Sequence, residues 1–265
     1  TGSHNPAEDN GFKMMLGLGT LHGSDIAELR TIIENNDFLS GAGANEINLI
    51  TERYLAAVRA QIKLADRPLH VVVDAGNGPT GPVAPPLLRS LGVQVTELYC
   101  ELDGRFPNHH PDPTVEANLL DLRAEVLRTG ADLGIAYDGD GDRIGVLDER
   151  GGIIWGDSLL VVLARALLVE EPGATIVGEV KCSQRLFDDI RNHGGRPIMS
   201  RVGHSLIKDR MKEEGALLAG EMSGHIFYKH RWFGFDDAVY TTCRLLEILS
   251  RHDGPMSSLL SDLPA

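Results

Sequence analysis

Asp138-Gly-Asp-Gly-Asp-Arg143 places three carboxylates at alternate positions with glycines between them and an arginine behind. Three like charges held together repel, and the arrangement gains nothing unless a hard cation sits among them. Gly139 and Gly141 allow a turn tight enough to aim all three inward. The pattern therefore reads as a Mg²⁺ site at Asp138, Asp140 and Asp142, with a solvated acidic turn as the plain alternative. An EF-hand also begins D-x-D-x-D, and Glu149 would stand at position twelve. However, Arg143 occupies the place that motif reserves for glycine, and strands rather than helices are expected on both sides. A phosphotransferase using Asp138 as nucleophile fits an aspartate at a strand end and stays open on these residues alone.

Other short runs carry chemistry. In Gly220-Glu-Met-Ser-Gly-His225, two glycines frame a tight turn, and the carboxylate of Glu221 lies one residue from the hydroxyl of Ser223. Such a pair can bracket vicinal sugar hydroxyls, and His225 can shuttle a proton. Thr1-Gly-Ser-His-Asn-Pro6 offers a nucleophilic Ser3 beside His4, although Gly-Ser-His at a chain start is also what an expression tag leaves behind. Gly76-Asn-Gly-Pro-Thr-Gly81 matches G-x-G-x-x-G, but Asp74 and Ala75 separate it from its strand and Pro79 and Pro82 stiffen it. A plain strand–helix turn is expected there. Asn108-His-His-Pro-Asp-Pro113 reads as a rigid proline-braced loop rather than a metal cluster.

These runs need elements to hold them. The strand Leu133–Tyr137 and the strand Ile144–Leu147 flank the aspartate loop. Upstream, the pattern predicts a strand at Phe12–Leu16, a helix at 24–36 capped by Ser24 or Asp25, and a helix from Asn45 to Lys63. From residue 68 it predicts a strand at 69–74, helix 83–91, strand 93–99 and helix 115–128. A similar series follows: helix 158–169, strand 174–180, helix 184–192, strand 197–200, helix 205–213, strand 216–219 and helix 237–250. The two series predict tandem duplicated mixed α/β domains, 51–151 and 152–265, after a partial domain in 1–50.

The 265 residues carry 42% hydrophobic and 24% charged side chains, the balance of a water-soluble globular chain. A net charge of −13 argues against a nucleic-acid partner. Cys100, Cys182 and Cys243 are few, odd in number and far apart, which suggests a reducing, cytoplasmic compartment. The most apolar stretch, 159–169, contains Arg165 and is too short to span a bilayer, so no membrane partner is expected. The oligomeric state is left open, a monomer included.

The serine run, followed by Asp9-Asn-Gly-Phe-Lys13, together with the aspartate loop and the 220–225 run, resembles the alpha-D-phosphohexomutase superfamily in motif and order. Met222 and Arg231-Trp-Phe-Gly-Phe-Asp-Asp237 are most similar to its bacterial phosphomannomutase/phosphoglucomutase members; glutamine is commoner at the Met222 position in phosphoglucosamine mutases. The resemblance implies that Ser3 is phosphorylated and lends an oxygen to the Mg²⁺ held by the three aspartates. It implies a general-base role for Lys13, a substrate-reading role for Glu221 and Ser223 at the 3- and 4-hydroxyls, and active-site positions for Lys181, His204 and His225. Arg143 would neutralise phosphate oxygens and His4 would add a donor. A superfamily member has four domains, and the chain is expected to lack most of the first and all of the last. The implied activity is reversible phosphate transfer between positions 1 and 6 of mannose or glucose phosphates through a 1,6-bisphosphate. The alternatives are a Mg²⁺-dependent aspartate-nucleophile phosphatase and a non-catalytic sugar-phosphate-binding fragment. Residues 51–265 are expected to hold most of the fold, and turnover by the chain alone to be poor.

Overall fold

The computed structural model describes residues 11–17 and 19–263. The predicted strand at 12–16 is instead a small hairpin, β1 (Met15–Leu16) and β2 (Gly19–Thr20), because Gly17 takes a positive φ of 61° and turns the chain back. Helix α1 (Ser24–Glu34) starts at the predicted place without the predicted cap. Gly23 is the N-cap, and Asp25 accepts instead from the His22 N–H. Helix α2 (Thr51–Gln61) is shorter than the apolar spacing suggested, since Ile47, Leu49 and Ile50 find no surface to pack on and stay exposed.

Two sheets follow. The first contains β3 (His70–Asp74), β4 (Gln94–Leu98), β5 (Leu133–Tyr137), β6 (Ile144–Asp148) and β7 (Ile153–Ile154), in the order β4-β3-β5-β6-β7. Helix α3 (Ala84–Ser90) opens on prolines, which lack the N–H that a first helical turn leaves unused. Helix α4 (Leu120–Thr129) is preceded by a 3₁₀ turn at Glu116–Leu119 and stops at Gly130 in the left-handed region. The second sheet contains β8 (Thr175–Glu179), β9 (Arg196–Ser200), β10 (Leu218–Gly220) and β11 (Ile226–Tyr228), in the order β11-β10-β8-β9. Its helices are α5 (Gly156–Glu170), α6 (Gln184–Asn192), α7 (His204–Glu214) and α8 (Ala238–Ser250).

The duplication is visible in the pairing. β4-β3-β5-β6 and β9-β8-β10-β11 share one topology: a central strand with parallel neighbours on both sides, then an antiparallel return. The aspartate loop joins β5 to β6, and the 221–225 loop joins β10 to β11. The two chemically marked loops therefore occupy the same position in each repeat. Helices α5 and α8 pack between the repeats, α5 against β6 and β10, α8 against β6 and β11. Leu159, Leu163, Leu245 and Leu249 are fully buried there and join both repeats into one core.

Candidate active site

The aspartate loop is built around Asp138, which is fully buried at the end of β5. Its Oδ1 accepts from the backbone N–H groups of Gly141, Asp142 and Arg143 at 2.9–3.1 Å, and its Oδ2 accepts from Arg143 Nε at 2.8 Å. Burial, with Asp140 adding to it, pushes the Asp138 carboxyl up even against the Arg143 charge. Gly141 is required here: φ is 80°, and a Cβ would lie 2.5 Å from Thr80 Cγ2. Thr80 comes from the Gly76–Gly81 turn, which runs into α3, and Gly78 of that turn lies beside the Asp138 and Gly139 carbonyls. The glycine-rich turn thus supports the aspartate loop from behind.

Carboxylate oxygens of Asp138, Asp140 and Asp142 all lie within 4.8 Å of one another. The Lys13 ammonium sits against two of them, 3.0 Å from Asp140 Oδ2 and in contact with Asp142 Oδ2. A cation already stands at this group, and an oxygen-only donor set suits a hard divalent ion.

Gly224 (φ 94°) brings the 221–225 loop against β6 so closely that a Cβ would collide with the Ile144 carbonyl. Ile144 N donates to Gly224 O at 3.1 Å, and Arg143 and His225 form an isolated antiparallel bridge. Ala238, the first residue of α8, donates to Gly141 O at 3.3 Å. His225 Nδ1 lies 3.5 Å from Asp142 Oδ1 and 3.1 Å from Asp236 Oδ2. Glu221 Oε1 accepts from Gly203 N, and Oε2 accepts from Ser223 Oγ at 3.2 Å. A cleft of about 590 Å³ opens between the repeats, lined among others by Lys13, Tyr54, Thr80, Asp140, Asp142 and Asp236.

Of the residues singled out in the sequence, Lys13, Asp138, Asp140, Asp142, Arg143 and His225 are brought together. Glu221 and Ser223 share the His225 loop. His204 opens α7, and its Nδ1 lies 4.0 Å from the same Asp236 carboxylate. Lys181 is exposed in the turn after β8, at the C-terminal edge that β10 shares. Ser3 and His4 lie outside the described residues.

Sequence reasoning missed Asp236, Lys208 and Asp112. Asp236 receives Lys208 Nζ on Oδ1 at 3.3 Å as well as the two histidines on Oδ2. Burial works to raise its carboxyl, but the His225 approach and the charges of Lys208, His225 and Lys13 outweigh it and hold it well below the usual range. The signal was the doublet Asp236-Asp237: Asp237 is spent as the N-cap of α8, accepting from Tyr240 N, which leaves its neighbour for another task. Asp112 holds Arg143 Nη1 at 3.3 Å, so the Asn108–Pro113 loop braces the arginine behind the aspartate loop.

Two family models match, phosphoglucomutase/phosphomannomutase alpha/beta/alpha domain II over residues 52–152 and domain III over residues 155–265. The chain belongs to the phosphoglucomutase/phosphomannomutase family. A phosphomannomutase/phosphoglucomutase of Pseudomonas aeruginosa is 52% identical over 265 residues, covering 100% of this chain. A phosphoglucomutase of Neisseria gonorrhoeae is 48% identical over 269 residues, again over 100% of the chain. The chain spans 57% of the length of each of these relatives. A crystal structure of a phosphoglucomutase/phosphomannomutase family protein from Burkholderia thailandensis superposes with a TM-score of 0.96 at 47% identity, covering 100% of this chain and 57% of that one. Among the described residues, no helix is long and apolar enough to cross a membrane.

Proposed function

We propose that this chain carries the phosphoryl-transfer centre of a hexose-phosphate mutase. Ser3 is the phosphoryl carrier, and Mg²⁺ is held by Asp138, Asp140 and Asp142. The substrate is a mannose or glucose phosphate, as the names of the relatives suggest, and in this reading it passes through a 1,6-bisphosphate. The observation that carries this reading is the backbone bonding of the aspartate loop to the 221–225 loop. Backbone contact between the two loops supports a reading in which the carboxylates of one hold the cation and Glu221 and Ser223 of the other read sugar hydroxyls.

In this reading, Asp138, Asp140 and Asp142 would hold the ion, which would supply charge neutralisation for the transferring phosphoryl group. Arg143, fixed from both sides by Asp138 and Asp112, adds a guanidinium that need not reorganise during transfer. Lys13 gives up its place between Asp140 and Asp142 and serves as proton acceptor and donor for the Ser3 hydroxyl. Glu221 and Ser223 exchange their mutual hydrogen bond for bonds to two neighbouring sugar hydroxyls, and Lys181 and His204 contribute from the adjoining strand and helix ends. His225 stands between the two loops and can relay a proton to the hydroxyl that receives phosphate. The domains of the reading are 1–50, 51–151 and 152–265.

The geometry does not favour Asp138 as nucleophile, since a nucleophile needs an approachable oxygen and both of its oxygens take donors in a buried setting. Incubation with glucose 1,6-bisphosphate and Mg²⁺, followed by phosphosite mapping, tests the choice. Phosphate is expected on Ser3 and absent from Ser3→Ala. A hydroxylamine-labile phosphate on Asp138 would transfer the role to the aspartate and sink this reading.

A further inference from the structure

Met222 stands between the two residues proposed to read sugar hydroxyls, and its backbone is held by a side chain from another strand. Glu221 to Gly224 form a tight turn. Gly224 N donates to Glu221 O at 3.1 Å, and Glu221 N donates to His225 O at 2.9 Å. Neither bond uses the Met222 N–H, the donor at the first corner of the turn. It donates instead to Glu179 Oε1 at 2.8 Å. Glu179 is the last residue of β8, and Gly178 before it pairs with Gly220 of β10 at the base of the turn.

Glu179 is 1% exposed. Burial pushes its carboxyl up and Glu221 adds to this, outweighing the Met222 N–H and the charges of Lys181 and His225. Its Oε2 is buried without a hydrogen-bond partner among the described residues. A carboxyl kept inside at such a cost needs a use for the oxygen that is bonded. The start of α5 holds the same turn, since a Cβ on Gly156 would collide with the Glu221 and Met222 carbonyls. Lys181 follows Glu179 by two residues, so one carboxyl ties the 221–225 loop to the segment that carries Lys181. Taking Glu221 and Ser223 as the hydroxyl-reading pair of the mutase reading, we propose that Glu179 is their positioning residue. By holding the Met222 N–H it fixes both side chains where they can take neighbouring hydroxyls of one sugar. The contact needs an oxygen of the right reach and no charge. Glutamine keeps that oxygen, aspartate draws it back by one methylene, and alanine removes it.

Calorimetry with glucose 1-phosphate and with its 3-deoxy and 4-deoxy analogues, in saturating Mg²⁺, tests the role. The protein is expected to bind the parent compound more tightly than either analogue, because a site built for a hydroxyl is left with unpaired groups when that hydroxyl is missing. Glu179→Gln should keep this preference. Glu179→Ala and Glu179→Asp should bind the parent compound roughly tenfold more weakly and lose the preference, while Mg²⁺ affinity stays unchanged. A role confined to stability would weaken all three ligands alike and keep the preference, and that result overturns the proposal. So does a preference lost in Glu179→Gln, which would make the charge and not the oxygen the working part. Circular dichroism shows whether Glu179→Ala folds, and if it does not, the milder Glu179→Asp decides. A protein that shows no preference before any substitution would sink the hydroxyl-reading role of Glu221 and Ser223 and the proposal with it. A preference that persists in the folded Ala or Asp variant sinks the proposal alone.

Discussion

Asp138, Asp140 and Asp142 are one residue type in one short loop, yet burial gives them different work. Asp138 is fully inside and gathers three backbone N–H groups and a guanidinium, so it shapes the loop as much as it offers an oxygen. Asp140 and Asp142 face Lys13 at the cleft. Asp140→Asn should lower Mg²⁺ affinity by at least roughly tenfold, since affinity follows the count of charged ligands, without loss of stability. Asp138→Asn should lower affinity and also cost about 3–5 kcal/mol of stability, because a buried charge pair is broken from one side. Calorimetric Mg²⁺ titration and urea denaturation read the two effects separately; equal stability losses in both variants would refute this division. The triad was legible because alternation with glycine has few other uses. Asp236 was not, because a helix-capping neighbour accounted for its surroundings. A different residue-scale consequence concerns His109, whose Nε2 meets the buried Asp74 Oδ2 at 3.0 Å. The hydrogen bond to Asp74 raises the His109 pKa against the opposing effect of burial. A raised folded pKa gives a stabilisation present in full below the unfolded value of about 6.5 and lost as pH climbs through the folded value. The stability gap between the protein and His109→Asn should therefore shrink from about pH 5.5 to 8.5. A gap that widens over this range would contradict the pairing.

At the scale of elements, the two repeats were legible because each strand–helix step obeys a simple period: β3 and β8 are short apolar runs, and α6 matches its predicted span of 184–192. Elements whose extent depends on a distant partner were harder to read. β7 and β11, at two and three residues, exist because β6 and β10 offer an edge to pair with, and no window that short has a period of its own. The equivalence of the aspartate loop and the 221–225 loop was likewise invisible, since it lies in strand order and not in residue similarity. Their junction makes a prediction. Gly224→Ala places a methyl against the Ile144 carbonyl at a φ of 94° that alanine avoids. The loops must part, at a cost of about 1–3 kcal/mol. Urea denaturation gives the cost, and sugar-phosphate binding measured by calorimetry should fall with it. Unchanged binding in a destabilised variant would mean that the two loops do not act on one ligand.

At the scale of the whole molecule, a sharp difference in burial falls between residues 50 and 51. No residue of α1 is buried, and Phe12, Leu16, Ile33, Leu39 and Ile47 are exposed. Helix α2 is the opposite. Leu55, Val58 and Ile62 belong to the shared core, and the Tyr54 hydroxyl donates to Asp237 at 2.9 Å, next to the N-terminus of α8. Apolar burial at roughly 25 cal/mol per Å² thus rewards keeping 51–62 and gives little for 11–50. Removing residues 1–50 should leave a folded protein with Tm lowered by no more than about 3 °C, near 1 kcal/mol for a chain of this size. Removing residues 1–62 strips those three side chains from the core and takes away one of the donors to the buried Asp237 carboxylate. That loss is of the kind that costs about 2–5 kcal/mol for a single large-to-small core change, so the second truncation should unfold far earlier or fail to fold. Differential scanning calorimetry on the two truncations separates the cases. If both fall by the same amount, the core does not begin at α2, and the domain division at residue 51 is wrong.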